Sequence, residues 1–548
     1  MSPAYARYLN YFLEQARDHE DDWNWFTGQW QQIERVWLLS QHYMPDATTV
    51  IQFLLTFYPF QNQQGLWRVA VNWLQVGLSL IDHEKNLPPT GLMLEHLGTA
   101  YRRLGETAQA IDCYQRARQI RQRLGDARGE ASCLNGLGLA YTALSQFQSA
   151  IQFYEAALFI ARQLNDLKGE TAALCNLGSV YAEMGDNPMA LSTYQQALAI
   201  AQKRGDQVSE SAIFNNLASV YAVMGQLRKA IEMHQQCRTT AQTVGDRLGE
   251  MYALINLGTA YHRLDKVDTA IQQYSEALRL ARGTEHRDGE LICLTNLGLA
   301  HVHVGEYQQA IRYHEQALSL ARKIGERRRE GSILNKLGNA HRNLGDFVQA
   351  ATLYKQSLQI AQAVGDYLNQ ANALGNLGLV NHRLEKYDKA IGYYQAQWEI
   401  ARKYQDKRGE ENALGNLALA YTETGRFEEA LSLYEERLSI AVEIGDRRGQ
   451  ATTLGNLALT YKRMGYLEKA VQTYYAALKI DEELDDKRGM GLRWGNLGAA
   501  YASLGESDKA VKAYASALQL HQEIGYLQGA ATWVWNLGEC YLADHRGF

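Results

Sequence analysis

Proline and cysteine are scarce in this chain, which has only six of each among 548 residues. Five prolines precede residue 90, and Pro188 alone follows it. Because proline disrupts helix interiors, the remaining sequence is compatible with helices throughout. The cysteines are scattered singly, without the spacing of a metal site or a disulfide framework. We therefore expect a cytoplasmic protein with no metal and no other cofactor.

Long apolar runs and a strong charge bias are also missing. No segment approaches 18 uninterrupted apolar residues, and the first residues lack the apolar stretch of a secretion signal. The formal net charge of -5 gives no overall attraction to nucleic acid or anionic membranes. The sequence has neither a Gly-x4-Gly-Lys-Ser/Thr phosphate loop nor a nucleophile elbow. These absences predict a non-enzymatic protein that binds neither nucleic acid nor membrane.

A 40-residue period runs from about Gly91 to the C-terminus. The segment Leu-Gly-Thr-Ala-Tyr at 97–101 returns as Leu-Gly-Leu-Ala-Tyr at 137–141 and as Leu-Gly-Glu-Cys-Tyr at 537–541. A fixed period of this length predicts a solenoid, in which each unit contacts only its neighbours. Such a stack offers one long repeated surface. Positions below are counted from the first residue of each unit, at 91, 131 and so on.

Each unit has the pattern of two helices, as residues 411–450 show. Leu414, Leu417 and Tyr421 form one apolar helical stripe, and a second stripe follows from Ala430. Between successive units an aspartate is placed to accept the free N–H groups of the next first helix as its N-cap. This aspartate occurs at Asp126, Asp166, Asp206, Asp246, Asp366, Asp406, Asp446 and Asp486.

These residues resemble the tetratricopeptide repeat (TPR). Leu97, Gly98, Tyr101, Ala110 and Tyr114 match its pattern, although its usual period is about 34 residues. The 40-residue form is similar to that of Pins/LGN scaffolds, kinesin light chains and bacterial TPR regulators. The resemblance implies an all-α, right-handed α-solenoid of tandem helix-turn-helix units with an N-terminal helical cap. It also implies that the first helices line a concave groove.

Tryptophan and the repeat register together indicate the domain organisation. Six of the ten tryptophans precede residue 74, before the regular repeats begin. Gly65 and Ala70 occupy the places that Gly105 and Ala110 hold 40 residues later. The predicted segments are a helical cap (1–50), a degenerate TPR-like unit (51–90), eleven tandem units (91–530) and a C-terminal half-repeat or capping helix (531–548).

Asparagine recurs at position 6, where helix propensity does not explain it. These positions point away from the core stripe of each first helix. A carboxamide both donates and accepts hydrogen bonds, so it suits contact with an extended peptide backbone. The alternative is that each asparagine bonds to a neighbouring helix and organises the stack. The candidate peptide-binding residues are Asn176, Asn216, Asn256, Asn296, Asn376, Asn416, Asn456, Asn496 and Asn536.

Basic residues recur at positions 12 and 13, at the end of the first helices. In a groove they favour an acidic partner or a C-terminal carboxylate. The alternative is that they complement the helix dipole. The arginines added to the candidate groove are Arg263, Arg342, Arg383 and Arg463.

A run of three arginines at 327–329 is predicted to lie in a solvated loop between two repeats.

Glycine occupies position 5 in four consecutive units, at a cost of about 1 kcal/mol each relative to alanine inside a helix. Either close helix packing or a groove floor opened for a ligand main chain would explain it. The glycines are Gly375, Gly415, Gly455 and Gly495.

Histidines that replace repeat tyrosines, such as His234, are predicted to be core residues.

The sequence therefore predicts a scaffold that binds peptide segments of partner proteins in its concave groove. The alternative is a ligand-sensing or regulatory module of a bacterial signalling system whose effector is encoded elsewhere. The segments 8–16 and 30–37 resemble the helical lead-in of bacterial signal-transduction ATPases, and a simple solenoid cap is the other interpretation. Trp533 and Trp535, on the last helix, either cap the stack or form an end suited to self-association.

Overall fold

The structure is a computed structural model that describes residues 3–19, 22–43, 47–80 and 87–545. Within these ranges every regular element is an α-helix. Residues 1–2, 20–21, 44–46, 81–86 and 546–548 of the predicted cap, degenerate unit and half-repeat lie outside the described residues. The helices are α1 (Pro3–Asp18), α2 (Trp23–Tyr43), α3 (Ala47–Gln63), α4 (Trp67–Ser79), α5 (Leu87–Leu104), α6 (Thr107–Arg123), α7 (Ala127–Ala143), α8 (Phe147–Gln163), α9 (Leu167–Glu183), α10 (Asn187–Arg204), α11 (Gln207–Val223), α12 (Leu227–Val244), α13 (Arg247–Arg263), α14 (Val267–Gly283), α15 (Arg287–His303), α16 (Tyr307–Ile324), α17 (Arg327–Leu344), α18 (Phe347–Ala363), α19 (Tyr367–Arg383), α20 (Tyr387–Lys403), α21 (Lys407–Glu423), α22 (Phe427–Glu443), α23 (Arg447–Arg463), α24 (Leu467–Glu483), α25 (Lys487–Ser503), α26 (Ser507–Glu523) and α27 (Leu527–His545).

The turns between helices follow from glycine and aspartate. Gly425 and Gly445 have φ angles of 75° and 71°, the left-handed conformation that glycine adopts without strain. Asp446 then accepts a hydrogen bond from the Gly449 N–H at 2.8 Å. All eight predicted aspartate caps are confirmed, because each side chain accepts from the backbone N–H three residues later.

The chain divides into two compact units, Met1–Leu280 and Ala281–Phe548. Within each compact unit, a first helix packs on the second helix of the same repeat, on the second helix of the preceding repeat and on the neighbouring first helices. For example, α17 contacts α18, α16, α15 and α19. In the described ranges, the backbones of second helices approach those of first helices but not one another. Second helices meet only through long side chains, as where Arg238 of α12 pairs with Glu276 of α14 at 2.6 Å. Within each compact unit the first helices are therefore the more closely spaced layer.

The core of each helix pair is built around one aromatic ring. The position 24 tyrosines Tyr354, Tyr394, Tyr434 and Tyr474 are almost fully buried. The ring of Tyr354 lies against Gly338 of the first helix, where a glycine leaves room for it. Burying a ring of this kind contributes about 2–3 kcal/mol. The predicted stripes are confirmed, since Leu414, Leu417 and Ala430 are all buried.

The N-terminal helices pack through the tryptophans. Trp37 and Trp30 stack on Trp73 with ring centroids 4.7 Å and 5.6 Å apart. Gly65 has a φ of 71° and Ala70 is fully buried, as Gly105 and Ala110 are one period later. At these two positions the N-terminal region therefore matches the regular repeats.

The prediction for the run 327–329 was wrong. These arginines form the first turn of α17 rather than a solvated loop, and each pairs with a carboxylate. Arg327 meets Glu330 at 2.6 Å, Arg328 meets Asp366 at 3.3 Å, and Arg329 pairs with Asp288. The first turn of a helix carries unsatisfied N–H groups and is unfavourable for cations, so these carboxylates compensate the arginines there.

The last helix, α27, continues to His545, beyond the point at which the repeat pattern stops. Trp533 is buried, and its indole N–H donates to His521 Nδ1 at 3.0 Å. The Trp535 side chain is 71% exposed. Trp533 therefore closes the last helix pair, whereas Trp535 does not. Among the helices that the structure describes, none is long and apolar enough to cross a membrane.

Candidate functional site on the first-helix face

The nine candidate asparagines lie at the same place in nine units, each on a first helix and each half-buried. We call the surface formed by positions 2, 6, 9 and 13 of the first helices the first-helix face. Within each compact unit the first helices of successive repeats contact one another, so their position 6 side chains are neighbours along this face.

Three of the nine asparagines bond to the preceding first helix. The bonds run from Asn176 Nδ2 to Asn135 Oδ1 (3.4 Å), from Asn256 Nδ2 to Asn215 Oδ1 (2.8 Å) and from Asn376 Nδ2 to Asn335 Oδ1 (3.3 Å). In each case the acceptor is an asparagine at position 5 of the preceding unit. At these three places the side chains organise the stack, and an asparagine at position 5 was the sequence signal for it.

The other six asparagines have no such partner. Position 5 of the preceding unit is cysteine, isoleucine or glycine there, and none of these side chains is a strong hydrogen-bonding group. Among the described residues, no hydrogen bond reaches their carboxamides, which therefore remain available at the surface. They are Asn216, Asn296, Asn416, Asn456, Asn496 and Asn536.

The candidate arginines differ in how far they are neutralised. Arg463 makes two bonds to Glu423, at 2.8 Å and 2.9 Å, so a second carboxylate would have to compete for it. Arg342 donates to Asn376 Oδ1 at 3.3 Å. Arg263 and Arg383 are exposed and, within the described chain, have no carboxylate in ion-pair range. Within the described chain, Arg342 also lacks a carboxylate partner and keeps its charge, although its guanidinium already donates to a neutral asparagine.

The four position 5 glycines make room for large buried side chains. A Cβ on Gly375 would lie 2.9 Å from the Gln397 carboxamide, and one on Gly415 would lie 2.8 Å from Arg437 Cζ. In the same way, Arg493 fills the space above Gly455, and Trp533 fills the space above Gly495. This filling favours close packing over a groove floor left open for a ligand.

Two of these side chains are buried arginines paired with buried carboxylates. Arg437 Nη2 lies 3.1 Å from Glu411 Oε1, and Arg493 Nε lies 3.3 Å from Asp481 Oδ2. Burial raises the pKa of both carboxyls, and the neighbouring arginines counteract that rise. These ion pairs could have been predicted from the sequence, because Arg437 and Asp481 are charged residues at positions where most repeats carry a buried alanine.

Two histidines replace the core tyrosine at position 24. His234 is 4% exposed, and the prediction that it is a core residue is confirmed. His314, which the sequence analysis did not single out, is completely buried, and neither of its ring nitrogens has a hydrogen-bond partner within the described chain. Burial lowers the pKa of each histidine to about 4. Both rings are therefore neutral at physiological pH.

These features define an all-α repeat protein of stacked helix pairs. A family model described as "Tetratricopeptide repeat" matches residues 90–163, 169–243, 249–323, 329–403 and 409–483, and a second model of that description matches 493–523. The first model alone covers more than half of the chain. The chain therefore belongs to the tetratricopeptide repeat family, as the sequence resemblance predicted.

Several solved structures are similar to this chain, whereas no curated protein sequence matches it significantly. The structures include BtubC (BKLC) from P. vanneervenii, at 21% identity over 40% of this chain and 92% of that one, with a TM-score of 0.38. They also include the apo quorum sensor NprR from B. thuringiensis (16% identity, 63% and 99% coverage, TM-score 0.44) and apo RapI (13%, 50% and 98%, TM-score 0.40). These similarities are too low to carry an argument about function.

Proposed function

We propose that this protein is a non-enzymatic, cytoplasmic scaffold that binds extended peptide segments of partner proteins along its first-helix face. The observation that supports this is the set of half-buried asparagines without an internal hydrogen-bond partner. Three of them, Asn416, Asn456 and Asn496, occur in consecutive units of Ala281–Phe548. An extended peptide has unpaired N–H and C=O groups along its length, and a carboxamide can bond to either.

The free cations give the proposed groove a charge preference. Arg383 lies at the end of α19, on the same face as the asparagines and without a carboxylate partner among the described residues. In the other compact unit, Met1–Leu280, exposed Arg263 supplies the corresponding positive charge. We therefore propose a preference for peptides with acidic residues, and raised salt should weaken their binding.

The first test is a selection from a library of disordered peptides, followed by affinity measurement on designed variants. The variant Asn416→Ala/Asn456→Ala/Asn496→Ala should bind a selected peptide at least about tenfold more weakly, since each lost hydrogen bond contributes about 0.5 kcal/mol or more. Because these carboxamides have no internal partner, thermal stability should not fall.

A matched control removes three exposed carboxamides from second helices. The variant Gln356→Ala/Gln472→Ala/Gln522→Ala changes the same chemical group in α18, α24 and α26. Its affinity should equal that of the wild type. Equal loss of affinity in both triple variants, or loss in neither, would contradict the proposed binding surface.

A further inference from the structure

A cavity of about 200 Å³ opens between α15 and α17, on the first-helix face. Its polar lining is Thr295 and Asn296 from α15, with Arg329, Ser332 and Lys336 from α17. Its apolar walls are Leu291, Ile292 and Ile333. Two cations, three neutral polar groups and an aliphatic wall thus face one small space, and all of these residues belong to Ala281–Phe548.

Lys336 distinguishes this place from the rest of the face. It stands at position 6, where nine units carry asparagine. Its Nζ donates to Ser332 Oγ at 2.7 Å, and within the described chain no carboxylate lies in ion-pair range of it. Burial lowers the pKa of Lys336, as expected for an ammonium group that has lost water without gaining an anion.

The other charged groups around the cavity do not neutralise this lysine. Arg329 pairs with Asp288 at the start of α15, so that carboxylate is already engaged. His314, from α16, is buried and uncharged at neutral pH. The cavity therefore has net positive charge and hydrogen-bond donors, with an aliphatic wall beside them.

We propose that this cavity binds a small free carboxylate with a short branched aliphatic body. The carboxylate would accept from Lys336 Nζ and from the Asn296 carboxamide, and the aliphatic part would contact Ile292 and Ile333. The volume favours a small molecule, because sites for drug-sized ligands are typically about 300–1,000 Å³. The inference does not rest on the proposed peptide binding, although the two share Asn296.

Three probes separate charge from shape: 3-methylbutanoate, acetate and 3-methylbutan-1-ol. Titration calorimetry on the full chain should show 3-methylbutanoate binding with a dissociation constant of about 1 mM or lower. Acetate lacks the aliphatic body and the alcohol lacks the charge, so each should bind at least about tenfold more weakly.

The decisive variant is Lys336→Asn, which restores the residue found in nine other units and is therefore compatible with the fold. It should weaken 3-methylbutanoate binding by about tenfold or more, whereas Lys355→Asn, at an exposed lysine of α18, should leave binding unchanged. Methyl NMR of the wild-type chain adds an independent readout, since the ligand should shift the Ile292 and Ile333 methyl signals but not those of Ile231 in the other compact unit.

Three results would overturn the inference. One is the absence of carboxylate binding to the wild-type chain at millimolar concentration. Another is binding that Lys336→Asn leaves unchanged or that shifts neither isoleucine. The third is Lys336-dependent binding of an acidic peptide that exceeds binding of the free acid, which would assign the cavity to a peptide side chain. The asparagine variants test the peptide site separately, because Asn416, Asn456 and Asn496 do not line this cavity.

Discussion

Replacing Glu411 by alanine is expected to destabilise the α21–α22 pair by about 3–5 kcal/mol, because it leaves the Arg437 guanidinium buried without its counter-charge. The two side chains are 2% and 9% exposed and lie 3.1 Å apart. Hydrogen exchange of the backbone amides in α21 and α22 measures the effect as a fall in the local free energy of opening, which suits a repeat array better than a single global transition.

The double variant Glu411→Ala/Arg437→Ala tests the cause. Other units carry alanine at both positions, for example Ala451 and Ala477, so the backbone accepts this pair of residues. With both charges removed, the double variant should be more stable than Glu411→Ala alone, even though a cavity remains above Gly415. Additive losses in the double-mutant cycle, or a loss below about 1 kcal/mol for Glu411→Ala, would contradict the account.

Lowering the pH from 7 to 5 is expected to cost about 2 kcal/mol of folding free energy at each of His234 and His314. Their pKa in the folded state is about 4, below the ordinary value of 6.5. Between these values the unfolded chain binds protons that the folded chain does not. The stabilising contribution is therefore complete above about pH 6.5 and is lost as the pH falls towards 4.

His314→Phe isolates one of these groups. Phenylalanine keeps an aromatic ring in the core at position 24. Tyrosine would be a poorer choice, because Leu299 at position 9 of this repeat cannot form a hydrogen bond with its hydroxyl. Hydrogen exchange of the backbone amides in α15 and α16, measured from pH 5 to 7.5, should show a smaller loss of local stability for the variant than for the wild type, by about 2 kcal/mol at pH 5. Parallel pH profiles for the two proteins would show that His314 is not buried as a neutral ring.

The fold could be predicted from the sequence because its contacts are local in the repeat. Leu414, Tyr421 and Ala430 pack within one helix pair or on the next, so the period that reveals the helices also identifies the core. The aspartate caps were predictable for the same reason, since Asp446 bonds to a backbone group only three residues away. Each of these features depends on residues less than one period apart.

The candidate site could be predicted only in part, because its chemistry depends on departures from the repeat. Whether a position 6 asparagine is free or bonded depends on the side chain 41 residues earlier, as Asn256 and its acceptor Asn215 show. The Lys336 cavity likewise combines two repeats, and it carries an unpaired positive charge because a lysine stands where nine repeats have asparagine. The repeat pattern describes what the units share, whereas these residues show where they differ.

Site-specific photo-crosslinking shows which helices of the chain a bound peptide touches, and the proposed binding surface is the first-helix face. A photoreactive residue at Leu419, Leu459 or Ala499 would lie on a first helix. Each of these residues is at position 9 of its repeat, three residues after Asn416, Asn456 or Asn496. One at Ser439, which is exposed on α22, would lie on a second helix. A selected peptide is expected to crosslink to the first three sites and not to Ser439. Crosslinking at Ser439 with none at the first-helix sites would contradict the proposed binding surface.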